Sequence, residues 1–306
     1  MDCYQKFKEK QKIFEIGGVK FGGAFGETPT VMIASLFYPS HKVVLDHKSG
    51  KIDKKKAKEE IETHLRICEE LGLGQTLDVI AETPEAMVSY LEFIFEVADG
   101  PIMVDGTIPA VRLAGAKYAY EVGENKRVIY DSISPDTKND ELEELKDYKI
   151  EGVVLLALNQ FDFTPKGKVE LIEKNLLPKA KVAGIDKILI DTIVFDVPSI
   201  GLAAEAIYAV KDKFGYPTGT APCNATFMIL DQWRYSEASF VAMNAAMIAM
   251  IQTLGADYVF YGRIDMAEEL LPAAAITNGV IAYTSKMLGR PVKLSKEHPL
   301  YRSMKK

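Results

Sequence analysis

LDVIAETPEAM, residues 77–87, passes from a short apolar run through a polar residue into a stretch of helical spacing, and the same transition recurs along the chain. LDVIA ends at Glu82, PIMV at Asp105, RVIY at Asp131 and Ser132, VVLLAL at Asn159, KILI at Asp191 and TGTAPC at Asn224. A parallel barrel of alternating strands and helices gathers the ends of all its strands at one mouth, so residues far apart in the chain meet in one pocket. The pattern therefore predicts both a fold and the place where function sits.

Upstream of this stretch, FEIGGVKFGG has two alternating arms around Gly17 and Gly18, a pair suited to the positive φ angles of a two-residue hairpin turn. It is expected to cap the barrel. TVMIASLFY (30–38) reads as the first barrel strand, and a long loop carrying His41 and His47 leads to a helix capped by Asp53 and stopped by Gly72. Downstream, strands are predicted at 77–82, 101–107, 127–134, 152–159, 187–196, 217–222 and 257–262, each followed by a helical pattern. The helix after 152–159 is expected at about 166–183, and the one after 217–222 near 237–254. The count closes a (β/α)8 barrel, and the absence of G-x-G-x-x-G after the first strand argues against a doubly wound open sheet. One barrel (30–290) is expected, with a hairpin cap (1–29) and a C-terminal tail (291–306).

Hydrophobic residues make up 48% and charged residues 26% of the 306, an ordinary globular composition. A net charge of -6 argues against a nucleic-acid binder, because phosphates reward excess Lys and Arg. Cys3, Cys68 and Cys223 form no close pair, which suits a reducing cytoplasm. The N-terminal MDCYQKFKEKQK lacks the apolar core of a signal peptide, and the longest apolar stretch, 240–254, is interrupted by Asn244 and Gln252 and is too short to span a bilayer. A soluble, cytoplasmic protein is expected. The small residues and methionines of 242–255 suit close helix packing, either against the barrel wall or in a homodimer.

Elimination narrows the chemistry. Imine formation needs a Lys at a strand's C-terminal end, yet Lys187 begins its strand. His41 and His47 share one loop and read as solvated, no His ends a strand, and Cys223 has no metal-spaced partner, so no metal site is expected. What remains is a mouth rich in Asp, Asn and Glu. A carboxylate matches a guanidine-like edge, N–H beside NH₂, in the forked geometry it uses for Arg, and the pterin ring has that edge. Singly, each carboxylate reads equally well as a helix cap or a solvated loop residue.

In FEIGGVKFGG with GETPTV, FYPSHKVV, ETPEAM, VDGT, YDSIS, DTIVFDVPSIG, GTAPCNA and EHPL, the chain resembles the family formed by the H subunit of tetrahydromethanopterin S-methyltransferase. More widely it is similar to methyltetrahydrofolate:corrinoid protein methyltransferases, which share a pterin-binding barrel. The resemblance implies methyl transfer between N5 of a tetrahydropterin co-substrate and the cobalt of a corrinoid carried on a partner protein. It implies that Asp105 and Asp191 bind the ring, that Asn224 lies beside N5 as the catalytic residue, and that Glu82, Asp131, Ser132 and Asn159 line the mouth. Two departures stand out: relatives often carry Asn-Ser where this chain has Asp131-Ser132, and Ser where it has Gly106.

The expected function is thus a methyltransferase joining a methyl-corrinoid protein to tetrahydromethanopterin or tetrahydrofolate, in a soluble methylotrophic pathway. The alternatives are a non-catalytic pterin-binding or docking subunit, or the H subunit of the membrane-associated methanogenesis complex. Pterin synthesis on a related barrel would need a diphosphate pocket, for which Arg234 and Arg263 are the candidates.

Overall fold

A computed structural model describes residues 7–233 and 236–303. Cys3 and Arg234 lie outside the described residues. The chain opens with an antiparallel hairpin of β1 (Ile13–Ile16) and β2 (Val19–Gly22). β3 (Val31–Leu36) enters the barrel, and a ribbon of β4 (Val44–Asp46) and β5 (Lys51–Ile52) leads to α1 (Lys54–Leu71). β6 (Gln75–Ala81), α2 (Pro84–Val97), β7 (Ile102–Gly106), α3 (Pro109–Glu121), β8 (Val128–Ile133), α4 (Asn139–Asp147) and β9 (Gly152–Leu156) follow. Then come α5 (Pro165–Leu171), α6 (Leu177–Val182), β10 (Lys187–Asp191), α7 (Ser199–Phe214) and β11 (Thr218–Thr220). The chain finishes with α8 (Pro222–Trp233), α9 (Glu237–Thr253), β12 (Tyr258–Arg263), α10 (Ala267–Met287) and the short α11 (Pro299–Arg302).

β3, β6, β7, β8, β9, β10, β11 and β12 pair in that order, all parallel, and β12 closes back onto β3. This is the expected (β/α)8 barrel. Local chemistry sets its helix ends. Asp53 accepts the Lys56 N–H at the start of α1, and Gly72 takes the left-handed conformation that stops it. Thr83 accepts the Ala86 N–H ahead of α2, with Pro84 in the first turn where a missing N–H costs nothing.

Four elements differ from the sequence reading. The strand predicted at 152–159 ends at Leu156, which leaves Asn159 in the loop beyond it. The strand predicted at 187–196 ends at Asp191, because Ile193 turns to φ +47° and the Lys168 ammonium collects the carbonyls of Thr192 and Ile193. The strand predicted at 217–222 ends at Thr220, and Pro222 opens a helix that the reading missed. The helix expected at 166–183 is divided by one wide π-turn at Ile172–Leu176, just before Pro178, which has no N–H to contribute.

Strand side chains alternate between the barrel interior and the helical layer. Val31, Ile33, Met103, Ile129, Val154, Leu189, Tyr258 and Phe260 make an apolar plug inside the lower barrel. The hairpin closes the floor beneath it. Ile16 and Phe21 are buried in the same plug, and Phe21 meets Tyr258 edge-on with ring centres 6.5 Å apart. Gly17 sits so close to Pro101 and Arg127 that any Cβ would collide with the Pro101 backbone at 2.7 Å. The hairpin thus seals the end opposite the strand C-termini and leaves the mouth free. Phe21→Ala is expected to cost about 3–5 kcal/mol of stability, by loss of burial and by the cavity left behind; urea denaturation of the variant checks this, and a loss below about 1 kcal/mol would mean the floor collapses without penalty.

Candidate active site

Above the apolar plug the interior changes character. Two residues beyond Ile33, Met103, Ile129 and Leu189, on the same face of their strands, stand Ser35, Asp105, Asp131 and Asp191. Asp78 joins them from β6, where register sets it level with Ser35 of β3. Asp105 and Asp131 are register partners on β7 and β8. The upper barrel therefore holds four carboxyl groups, from β6, β7, β8 and β10.

Burial pushes all four away from ionisation; neighbouring carboxylates add to the effect at Asp78 and Asp131, and neighbouring cations oppose it at Asp105, Asp131 and Asp191. Asp105 is pushed up to about 6, with the Arg112 guanidinium opposing the shift. Asp191, 7% exposed, is also pushed up to about 6 by burial, opposed by its hydrogen bond from the Ile193 N–H at 2.7 Å and by the Lys168 ammonium. Asp78 and Asp131 are raised well above the usual carboxylate range by burial and then by the charge of Asp105. The two cations are themselves built in. Arg112 donates to the Gly106 carbonyl at 2.6 Å and to Glu141 at 3.0 Å, and Tyr130 also donates to Glu141 at 2.6 Å. Lys168, pushed down to about 8 by burial, binds the backbone that carries Asp191.

Ser35, whose hydroxyl bonds Asp78 at 3.1 Å, also lines a cavity of about 610 Å³ together with Tyr38, Asn224, Phe227, Arg263 and Asp265 among others. Asn224 does not end a strand; it sits in the first turn of α8, exposed. Gly262 seats that helix. With φ +96° and no Cβ, it lets Cys223 and Phe227 approach β12 to distances a side chain would close to 3.0 and 3.1 Å. Buried Asn244 of α9 donates to the Tyr261 carbonyl at 2.9 Å and accepts from Thr226, tying both helices to β12. Burial pushes the Cys223 thiol up to about 12, so it stays protonated.

The remaining candidates take different places. Asp131 and Ser132 are half-buried on β8, joined by a cis peptide bond. Asn159 turns its amide onto its own loop, donating to the Gly167 carbonyl and accepting from the N–H groups of Phe161 and Asp162. Glu82 is exposed at the outer rim, 3.9 Å from His47. The solvated-loop reading of the histidines fails for His41. It is 3% exposed, accepts the Phe37 N–H at 3.0 Å and bonds Glu60 at 2.9 Å, because Phe37 and Ser40 take positive φ and fold the loop inward. Its ring stacks on Tyr38 at 4.5 Å, which sets the cavity wall. Arg263 is bidentate on Asp265. Sequence reasoning missed Asp78, Ser35, Arg112 and Lys168. For Asp78 a signal existed, an acid at an alternating position inside an apolar strand; for Lys168 there was none. Among the described residues no group of His, Cys, Asp and Glu is arranged to hold a metal ion.

The chain matches the family of the tetrahydromethanopterin S-methyltransferase MtrH subunit over residues 9–292. It is 33% identical to the H subunit of tetrahydromethanopterin S-methyltransferase from Methanothermobacter marburgensis, over 97% of this chain and 99% of the relative. It is 31% identical to the corresponding protein of Methanosarcina mazei, over 96% of this chain and 98% of the relative. Among solved structures it resembles Yersinia pestis dihydropteroate synthase carrying a pterine-sulfa conjugate (TM-score 0.63, 14% identity, 88% of this chain and 98% of that one). The dihydropteroate synthase of Xanthomonas albilineans with 4-aminobenzoic acid is similar at TM-score 0.59 and 20% identity, over 88% and 98%. At these identities the likeness concerns the barrel fold.

The raised carboxyls make stability depend on pH. A group whose folded pKa exceeds its unfolded value stabilises below the unfolded pKa and loses that contribution as pH rises through the folded one. For Asp191 the window runs from about pH 4 to about pH 6. Asp191→Asn keeps the acceptor for the Ile193 N–H and removes the charge, so at pH 8 the variant is expected to be more stable than the parent by about 2–3 kcal/mol. The gap should close by pH 4; urea denaturation at both pH values reads it, and an equal gap at both would mean Asp191 does not titrate as placed.

Proposed function

Because this chain belongs to the family of the tetrahydromethanopterin S-methyltransferase MtrH subunit, a family of methyltransferases, we propose that it moves a methyl group between N5 of a tetrahydropterin and a corrinoid carried by a partner protein. The observation that carries the reading is the set of inward carboxyls at the strand ends, linked through Ser35, which bonds Asp78, to a cavity lined by Asn224. Asp105, Asp131 and Asp191 suit the N–H and NH₂ groups of the pterin's guanidine-like edge, and burial makes such charge-assisted hydrogen bonds strong. Where relatives often carry Asn, Asp131 replaces an amide by a carboxyl whose oxygens accept from this edge. Relatives named as a subunit support a chain that works with partners, and the hairpin floor leaves the mouth open to one.

The chemistry asks for placement rather than a protein nucleophile. When the methyl group leaves, the N5–carbon bond breaks, a bond to cobalt(I) forms with the cobalt's electron pair, and N5 keeps its own pair and takes up a proton. Asn224 is able to accept from N5–H through its oxygen or donate to the free lone pair through its NH₂, which serves both states. Alignment of N5, methyl and acceptor supplies the rest. A homodimer through the exposed small residues Ala242 and Ala246 of α9 completes the proposal, with both mouths facing outward. Light scattering at micromolar concentration that gives a monomer mass would remove it.

Asp105→Ala should weaken tetrahydropterin binding by about 1.5–3 kcal/mol, and Asn224→Ala should slow methyl transfer by about 10²-fold or more while leaving affinity within a few-fold. Since the ionised carboxylate is the form that pairs with the ring, affinity should also fall as pH drops below about 6, by up to tenfold per unit per proton. Calorimetry and stopped-flow spectra of the cobalt read these effects. A folded parent protein that binds no tetrahydropterin at pH 7.5 would refute the proposed function.

A further inference from the structure

Asp78 is the acid for which the ring contacts described above leave no task. It lies deeper than its neighbours, 2% exposed. Its Oδ2 is 3.1 Å from the Ser35 hydroxyl, and its Oδ1 is buried with no hydrogen-bond partner. An ionised carboxylate in that position would keep a charged oxygen dry and unpaired, which costs several kcal/mol unless a proton removes the charge. The groups that face it do not supply a counter-charge. Ser35 comes from β3, Asp105 from β7 and Asp131 from β8, while the neutral Cys223 thiol comes from α8. Arg112 acts on Asp105 and Asp131, and Lys168 acts on Asp191; what opposes the rise of Asp78 is the Ser35 hydroxyl.

Ser35 is the link outward. Its side chain touches Asp78 on one side and lines the cavity that holds Asn224 on the other. A hydroxyl donates one proton and accepts others, so it passes a proton by exchange without ever carrying charge for long. With Asp78 protonated, the acid donates to Ser35 Oγ and the Ser35 O–H turns into the cavity. With Asp78 ionised, Ser35 donates to it and leaves its lone pairs for an N–H.

We propose that Ser35 and Asp78 form a proton relay serving the pterin N5, an inference that rests on the methyl-transfer reading above. When the methyl group departs, the N5–carbon bond breaks and the N5 electron pair takes the Ser35 hydroxyl proton. Ser35 recovers a proton from Asp78, which ends as a carboxylate; the methyl group goes to the nucleophilic acceptor, whose own pair makes the new bond. When the methyl group arrives, N5 forms the new bond with its pair, the carrier keeps the pair of the bond that breaks, and the N5 proton returns through Ser35 to Asp78. Ser35 meets the reacting atom, and Asp78 acts through it.

The test uses the full chain, an N5-methyl-tetrahydropterin and free cob(I)alamin. Single-turnover demethylation is followed at the cobalt across pH 5–9 for the parent, Asp78→Asn and Ser35→Ala, with pterin binding measured in parallel by calorimetry. The parent rate should fall as pH rises through the pKa of the relay, because the protonated form is the donor. In Asp78→Asn that pH-dependent limb should vanish and the rate near neutrality should drop about 10²-fold, while the pterin Kd stays within about threefold. Ser35→Ala, which leaves Asp78 in place, should slow transfer to a similar extent, and it decides the matter if Asp78→Asn does not fold. A variant that keeps the parent's rate and limb overturns the relay, as does one whose loss lies entirely in pterin affinity, which would make Asp78 a ring contact. A parent protein that binds the pterin but shows no transfer refutes the methyl-transfer reading and the relay with it.

Discussion

Four carboxyl groups in one barrel interior repel each other, and much of the upper half of this protein is arranged around that repulsion. Asp78 and Asp191 are buried and Asp105 and Asp131 half-buried, so each ionisation costs more there than at the surface, and ionised neighbours make it harder still at Asp78 and Asp131. The fold answers unevenly. Asp105 and Asp131 have the Arg112 guanidinium, itself fastened by Glu141 and the Gly106 carbonyl. Asp191 has a backbone N–H and a buried ammonium. Asp78 has a single neutral hydroxyl. The result is a graded set of acids, with Asp105 and Asp191 held nearer to ionisation and Asp78 and Asp131 held further from it. Groups pushed to different pKa values within one pocket are what acid–base chemistry at neutral pH requires.

The scaffold that tolerates such a pocket divides its labour along the barrel axis. Below the carboxyls, apolar side chains from alternate strand positions fill the interior, and the hairpin closes the end with Ile16 and Phe21. Cohesion is concentrated there and around the outside, where helices cover the sheet. The mouth is thereby freed from having to stabilise the fold. Its loops instead carry conformations that need support. Phe37 and Ile193 both sit at positive φ, the first braced by the His41–Glu60 strut and the second by Lys168.

Among the described residues no strong nucleophile lines the pocket in reactive form, since the Cys223 thiol is kept protonated. The barrel offers instead directed hydrogen bonds, a polar amide and graded acids. That inventory fits a reaction whose bond making and breaking occur between a bound heterocycle and a second substrate, with the protein supplying orientation and a route for one proton.

How much of this was legible beforehand depends on the range of the interaction concerned. Apolar runs, caps such as Asp53 and Thr83, and stops such as Gly72 act over a few residues, so the strand–helix alternation, the barrel closure and the placing of Asp105 and Asp131 near the ends of their strands could be read directly from the residues. Local patterns failed where a distant group overrules them. β10 stops early because Lys168, more than twenty residues away in the chain, takes the carbonyls that would continue it. Asn224 stands in a helix because Gly262 and Asn244 make a seat for that helix on β12. Asn159, so like the other strand ends in sequence, is consumed by its own loop. Asp78 was in plain view within LDVIA, yet its meaning depends on Ser35 lying beside it and on nothing reaching its second oxygen. Residue type and spacing thus determined which groups reach the mouth, while register, burial and the company of other charges decided what each does there, because those quantities exist only once the barrel has closed.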